Sequence, residues 1–408
     1  MRKKTDNSII RSSRLSLKFA NHHRQEQLRL FLDEYLRIVR FFVDELWQME
    51  VVKPLLDKDI TSRCTTWLSA RMVQCAGKQA SGIVRGTRTK QERRLHMIDK
   101  LESEGQFRKA RKLRKIYDEN SISKPEIERL EAQLDSRFVQ VDWESETSFD
   151  GWVTISSIGE KMKIVLPIRK TKHFNDLASK GKLKEGLRIS RSRISLSFEI
   201  KVEKRTEGSV LGIDVGMNDT IACSSGQAIS EDPHGNTYRS ICDKLAMKKK
   251  GGNGFRRAVA HRTNYINWVV NQLDLDGVAV VNRENIRHLR KFQRNSRRMQ
   301  AWNYAELFKV LDGELEGLGV QVRKLNPTYT SQRCSVCGWT RKGNRSGKSF
   351  KCGACGHTQD ADLNASMNLS FGLPGISGKT RLKGINRKGF YWLPEWQEPI
   401  VPAVREAV

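Results

Sequence analysis

Along the first third of the chain, apolar residues recur at helical spacing. Leu28, Phe31, Leu32, Tyr35, Val39, Phe42, Val43 and Leu46 fall on one face and predict a long amphipathic helix. The stretch "SRCTTWLSARMVQCAGKQASGIVRG" repeats the pattern with Trp67, Leu68, Met72, Cys75, Ala76, Ala80 and Ile83, and Gly86 is expected to stop it. Ala76, Gly77, Ala80 and Gly82 are small enough to let another backbone approach closely. Next, "RTKQERRLHMIDKLESEGQFRKARKLRKIYD" predicts a helical pair rich in Lys and Arg, and "SKPEIERL" a short helix capped by Ser123. Residues 21–135 therefore read as an all-helical, basic lobe.

The period shortens on either side of that lobe. "RLSLKFA" before it, and "RFVQVDW", "GWVTISSI", "KMKIVLPI", "GLRIS" and "RISLSFEIKVEK" after it, read as strands; Ile194, Leu196, Phe198, Ile200 and Val202 alternate onto one face. This spacing predicts a small β-barrel over 136–206, completed by a strand from 1–20, with the lobe as an insertion. From Gly208 the order is strand, hairpin, helix, strand, helix, strand, through "SVLGIDVG", "DTIACSSG", "FRRAVAHRTNYINWVVNQL", "GVAVVNREN", "WNYAELFKVLDGELEGLG" and "VQVRKLNP". That alternation predicts an α/β domain over 207–332, resuming over 358–376 after a cysteine-bearing insertion at 333–357. Residues 377–408 have no clear period and read as a basic, flexible or RNA-contacting tail. The fold class is multidomain α/β.

Charge narrows the function. The 408 residues carry 74 Lys and Arg against 46 Asp and Glu, a formal net charge of +28. That balance disfavours a metabolic enzyme of small substrates and points to a polyanion. A ribosome-associated or membrane-surface protein is the plainer alternative; accompanying aromatics and a cysteine module favour nucleic acid. No apolar run is long enough to span a bilayer, and the basic start lacks a signal peptide's apolar stretch. A cytoplasm is the expected location. Eight cysteines fit a reducing compartment: four form two CxxC pairs, and Cys64, Cys75, Cys223 and Cys242 are ordinary thiols.

The pairs Cys334/Cys337 and Cys352/Cys355 are separated by fourteen residues and fit one structural zinc on four thiolates. His357 is a weaker alternative ligand. The basic segment between the pairs, with two aromatics, is expected to touch nucleic acid. Three carboxylates stand where a metal-dependent nuclease needs them. Asp214 ends a very apolar strand, Glu284 closes "GVAVV", and Asp362 opens "ADLNASMNLS". A charge buried at such strand ends costs several kcal/mol unless it is paired or metal-bound. Each also has an ordinary role, as strand-end turn, loop residue or helix cap; their order on the right elements favours the metal reading. Asp360 rivals Asp362, although the phase of the helix start favours Asp362, and Asp219 reads as a turn residue. Trp302 can stack on a base or fill a core. Basic runs flank Glu284, and Arg287, Arg290, Lys291, Arg294, Arg297 and Arg298, with Arg333 before the first knuckle, are the expected nucleic-acid contacts.

"LGIDVGMNDTIACSSG", "VVNREN", "NPTYTSQRCSVCG" and "CGACGHTQDADLNASMNLS" together resemble the split RuvC-type (RNase H-like) nuclease domain of the TnpB proteins of insertion sequences, to which miniature type V CRISPR effectors are similar. The motifs cover about half the chain; the amino-terminal half matches only in order and type, as a wedge-like barrel carrying a helical recognition lobe. The sequence departs from the family where the middle acid, usually "EDL", is "RENI", and in a shorter segment before it. The resemblance implies Asp214, Glu284 and Asp362 as the catalytic carboxylates, holding magnesium or manganese, and zinc in the inserted ribbon. It implies an RNA-guided DNA endonuclease, its guide a crRNA-type or transposon-end RNA, its target double-stranded DNA beside a short flanking motif. One or two copies per guide are both compatible, and the resemblance implies a prokaryotic cytoplasm, beside the nucleoid when DNA is bound. A nuclease-inactive, RNA-guided repressor and an RNA-free structure-specific nuclease or transposition accessory protein are the rival readings.

Overall fold

The computed structural model describes residues 7–119, 123–144, 146–286, 296–373, 376 and 384–393. The chain divides into two units, Ser8–Lys201 and a second formed by Met1–Asn7 with Val202–Val408.

In the first unit the elements are β1 (Ser8–Ser16), α1 (His22–Gln48), α2 (Lys58–Thr61), α3 (Ala70–Ser103), α4 (Phe107–Glu119), β2 (Ala132–Leu134), β3 (Val139–Asp142), β4 (Gly151–Ile155), β5 (Ile164–Ile168), α5 (Lys172–Lys180), β6 (Lys182–Leu183), β7 (Leu187–Ile189) and β8 (Arg193–Lys201). The expected strands form, except that the first is Ser8–Ser16 rather than 14–20, since residues 17–20 turn toward α1; β1 pairs antiparallel with β8 over its whole length, so the helices are an insertion between strands. Hydrogen bonding makes two sheets rather than one cylinder: β1-β8-β7-β2, with β6 also on β8, and β3-β4-β5. The apolar face of α1 is buried, with Phe31, Ile38 and Phe42 fully enclosed, and Ala76 and Ala80 of α3 are equally inaccessible.

Three expectations here are corrected. Helix α3 runs straight through Gly86, because one glycine costs about 1 kcal/mol and strong helix formers follow it. Residues 123–130 are not helical; Pro125 disfavours helical backbone at the residue before it. The lobe ends earlier than residue 135, since Ala132–Leu134 joins the sheet beside β7.

The second unit contains β9 (Ser209–Val215), β10 (Ile221–Cys223), β11 (Ala228–Ile229), α6 (Tyr238–Ala246), α7 (Asn253–Asn271), β12 (Val278–Glu284), α8 (Arg297–Ala301), α9 (Tyr304–Gly317), β13 (Gln321–Leu325), β14 (Trp339–Thr340), β15 (Arg345–Ser346), β16 (Ser349–Lys351), β17 (Thr358–Asp360), α10 (Ala361–Ser370), α11 (Ile385–Lys388) and β18 (Phe390–Tyr391). Its main sheet has the order β11-β10-β9-β12-β13, with β9, β12 and β13 mutually parallel and β10 and β11 antiparallel.

Strand alternation then sorts the side chains. Leu211, Ile213 and Val215 of β9 and Val281 of β12 enter a core with Ile241, Ile266, Val269, Leu307 and Leu311. Arg283 faces the same way, making a bidentate pair with Asp312 of α9 at 2.7 Å. The opposite face, carrying Gly212, Asp214, Asn282 and Glu284, is covered by α10. A Cβ on Gly212 would lie 1.9 Å from the Ser366 carbonyl oxygen, so only glycine lets the helix sit this close. Asn282 donates to the Leu369 and Ser370 carbonyls at 2.9 and 3.2 Å, capping the helix from below. Trp302 is buried in the core, which resolves its two readings in favour of packing.

The carboxy-terminal tail also departs from expectation. Its described residues 384–393 pack: β18 pairs with β14, Phe390 and Trp392 are buried, and Gly389 (φ 99°) lies against the Trp339 ring. The pattern is too short to show a period, but "GFYW" supplies enough aromatic surface to dock.

Candidate functional site

Two clusters adjoin the point where β17 passes directly into α10. In the first, Cys334, Cys337, Cys352 and Cys355 bring their sulfurs within 4.8 Å of one another. Cys334 and Cys355 are 3.8 Å apart, and Cys337 and Cys352 3.6 Å. Those separations match the edge of a thiolate tetrahedron around zinc, about 3.8 Å for Zn–S bonds of about 2.3 Å, and exceed a disulfide by far. Burial pushes the Cys334 and Cys337 thiols up, while the backbone N–H of His357 brings Cys355 down to about 7. His357 stands outside the quartet, its ring bonded to Gln359. The four cysteines fit the metal; the histidine is not needed. Cys64, Cys75, Cys223 and Cys242 are separately buried, as ordinary thiols should be.

The second cluster gathers the carboxylates. Asp214 is the sixth residue of β9 and Glu284 the last of β12; Arg283 aligns with Ile213, which puts Glu284 in line with Asp214. Both therefore sit at the carboxyl ends of adjacent parallel strands, where open α/β sheets bind ligands. Helix α10 brings Asp362 over them. Burial first, then the charges of Glu284 and Asp362, hold the Asp214 carboxyl well above the ordinary range. Burial likewise raises Glu284 from 4.5 to about 7, against the opposing Thr330 hydroxyl, which donates to Oε1 at 3.1 Å. Carboxylates so placed favour a cation or a proton between them, and hard divalent ions take oxygen donors of this kind.

Asp360 and Asp362 divide as their phase on the helix predicts. Asp360 is the N-cap, accepting from the backbone N–H of Asp362 and Leu363 at 2.8 and 3.1 Å. Asp362 is buried and points inward. Asp219, expected as a turn residue, is also buried, and its carboxylate joins those of Asp360 and Asp362 within 4.8 Å.

Several residues were missed in the sequence. Arg345 and Lys348, on the β15–β16 hairpin between the cysteine pairs, reach the acids: Arg345 donates to Asp362 at 2.7 Å, and Lys348 to both oxygens of Asp219 at 2.7 Å. The run was visibly basic, but which two cations turn inward is a matter of hairpin register. The asparagines of α10 were also unexplained. Asn364 accepts from the Ser335 N–H and donates to the Arg333 carbonyl, and Asn368 bonds Arg333 and the Thr330 carbonyl. Spaced four apart, they share one face of the helix and clamp the first knuckle to it.

The basic contacts fare unevenly. Arg333 is corrected: it is 3% exposed, donating to the Trp392 and Cys334 carbonyls and to Asn368, so its guanidinium is committed inside the fold. Arg297 is exposed, and Arg298 pairs with Asp243. Arg287, Arg290, Lys291 and Arg294 lie outside the described residues.

With this geometry in view, a family comparison becomes specific. Residues 304–369 match the Cas12f1-like TNB domain. The stretch runs from α9 through the cysteine quartet to α10, so it contains Asp362 as well as the ribbon. The chain is also 38% identical over 123 residues to a CRISPR-associated endodeoxyribonuclease Cas12f1 of Sulfoacidibacillus thermotolerans, a match covering 30% of this chain and 28% of that protein. It is 50% identical over 52 residues to the putative RNA-guided DNA endonuclease InsQ of Escherichia coli, covering 12% of this chain and 13% of that one. The chain thus matches less than a third of the length of these relatives. A Cas12f1–sgRNA–target DNA complex aligns over 89% of this chain and 99% of its own, at 14% identity and a TM-score of 0.45. The resemblance to the miniature type V effectors and their insertion-sequence relatives is borne out. No helix among the described residues is long and apolar enough to cross a membrane.

Proposed function

We propose that the protein is an RNA-guided DNA endonuclease whose single active site is the RuvC-like cluster Asp214, Glu284 and Asp362. The observation that carries this reading is their meeting on one face of a parallel sheet beside a thiolate ribbon. Magnesium or manganese, when bound, would polarise the scissile phosphodiester and supply an activated water. The chain's own share is positional. Parallel strands present Asp214 and Glu284, Thr330 orients Glu284, and α10 brings Asp362 while the ribbon fixes α10. Zinc on the four cysteines is structural, since no fourth position is left for a reactant.

The partners are a guide RNA and target double-stranded DNA, as the names of the relatives suggest. A charge of +28 suits both, with affinity that falls as salt rises. In this reading the Ser8–Lys201 unit is the wedge-like and recognition part that holds the guide, as a monomer or a pair of copies. Purification from cells carrying the protein's own locus, followed by sequencing of the RNA that comes with it, tests the guide. A discrete RNA that directs magnesium-dependent cleavage of matched duplex is expected. A random RNA mixture, or cleavage indifferent to RNA, would overturn the proposal.

A further inference from the structure

The ribbon hairpin does more than cover the acids. Its backbone is tied down, because β16 pairs with β17 and the Lys348 carbonyl accepts from the Ala361 N–H at 2.7 Å. Its two cations differ in freedom. Arg345 is about one-third exposed, and its guanidinium also donates to the Gly347 carbonyl within the hairpin turn. Lys348 is half exposed, on a flexible four-carbon stem, and gives the hydrogen bonds of its ammonium to Asp219. Asp219 is itself buried, within reach of Asp360 and Asp362. The Asp219 pair can therefore open by side-chain rotation with no movement of the hairpin, at the modest cost of a half-exposed ion pair.

We propose that Lys348 is a displaceable counter-ion. Its ammonium neutralises the Asp219 side of the carboxylate cluster until a divalent cation arrives, and then swings out to the mouth of the site, where substrate phosphate would lie. The inference rests on reading the carboxylates as a divalent-metal site. It deepens that reading by giving the metal a built-in competitor. The physical reason is charge. The charge of Asp362 acts on Asp214 and Glu284, and its carboxylate lies within 4.8 Å of that of Asp219, so a divalent ion and an ammonium held beside it repel each other. Opposition between them makes metal loading weaker in the free protein, and a phosphate that attracts the released ammonium makes loading tighter when nucleic acid is present. Metal and substrate then bind with positive coupling, in whichever order they come.

Manganese titration of the purified, nucleic-acid-free protein, followed by electron paramagnetic resonance of free Mn²⁺, separates the outcomes. Lys348→Met keeps the stem and removes the charge. It should tighten Mn²⁺ about five- to tenfold, the equivalent of losing one partly exposed ion pair. Asp219→Asn removes the carboxylate together with the ammonium's anchor and should leave Mn²⁺ binding near the parent, and Lys348→Met added to Asp219→Asn should change little more. Zinc content of Lys348→Met should match the parent, and the fall in melting temperature from leaving Asp219 without its partner should be recovered when Mn²⁺ is added. Unchanged or weaker Mn²⁺ binding by Lys348→Met, with Mn²⁺ still lost in Asp214→Ala, overturns the counter-ion alone. Mn²⁺ binding that survives Asp214→Ala intact overturns the metal-site reading beneath it.

Discussion

The thiolate quartet and the carboxylate cluster adjoin at α10, yet they treat the folding energy in opposite ways. The cysteines come from one local segment and close a tetrahedron, with sulfurs 3.6 and 3.8 Å apart across its pairs. A metal there has no open position and gives its binding energy to the fold. The carboxylates come from β9, β12 and α10, at the carboxyl ends of two parallel strands, and burial first, then the neighbouring acids, raises Asp214 and Glu284. Ionising them in the folded state costs stability, and that cost is recovered only when a cation binds. The contrast separates a structural site from a reactive one: the first is filled so that the chain folds, and the second is held under electrostatic stress so that it binds.

The sharpest way to break this comparison is to remove one thiolate. Cys352→Ser should lose the zinc and, with it, a large part of the binding energy of about 10 kcal/mol that structural zinc supplies. Because Asn364 and Asn368 clamp α10 to the same knuckle, Asp362 should lose its place as well. Elemental analysis, circular dichroism and cleavage should fail together; a folded, zinc-free, active variant would contradict the structural role.

A smaller effect is expected at the sheet. Gly212→Ala drives a methyl against the Ser366 carbonyl, and the overpacking should cost about 1–3 kcal/mol and displace α10. The melting temperature should fall with zinc content unchanged. An unchanged melting temperature would mean that α10 does not need this close approach.

The pH dependence should distinguish the two clusters. Glu284 titrates near 7 in the folded chain against 4.5 ordinarily, and Asp214 is raised as well. The folded state therefore holds more protons than the unfolded chain, so this contribution to stability is present below about 4.5 and is lost as pH rises to about 7. In chelator-treated protein that retains its zinc, the advantage of Glu284→Gln over the parent should grow across that window, and Mn²⁺ should stabilise the parent more at pH 8 than at pH 5. A parent-minus-variant difference that is flat with pH would remove the electrostatic stress from the account.

Asp360→Ala should do least. It removes a helix cap, worth about 1 kcal/mol, and leaves the inward carboxylate untouched. Most cleavage activity should survive, with slightly lower thermal stability. A dead Asp360→Ala beside an active Asp362→Ala would reverse the assignment of the third acid.

How much of this was legible depended on the distance between partners. The cysteines announce themselves because their spacing is local, and Asp214 and Glu284 because a carboxylate ending an apolar strand is costly. Asp362 was separable from Asp360 by helical phase. Arg345, Lys348, Thr330 and the two asparagines were not, since their meaning lies in acceptors brought near by the tertiary fold. Arg333 misled for a related reason: charge in a basic chain suggests phosphate, yet this guanidinium satisfies buried carbonyls. In the amino-terminal unit the periods gave the elements, but not their closure. Whether five strands make one barrel or two sheets is decided by hydrogen bonding across the unit.

The central claim is that three carboxylates act as one metal-binding device, and single against combined substitution tests it most directly. Asp214→Ala, Glu284→Ala, Asp362→Ala and the triple variant would be assayed for cleavage of guide-matched duplex in magnesium, beside gel-shift binding of the same duplex. Each single loss should lower cleavage by about a thousandfold or more, close to the triple variant, because residues acting as a unit are not additive. Binding of guide and target should stay near the parent level. Losses that add up from one variant to the next, or a single variant that still cuts normally, would contradict the shared site.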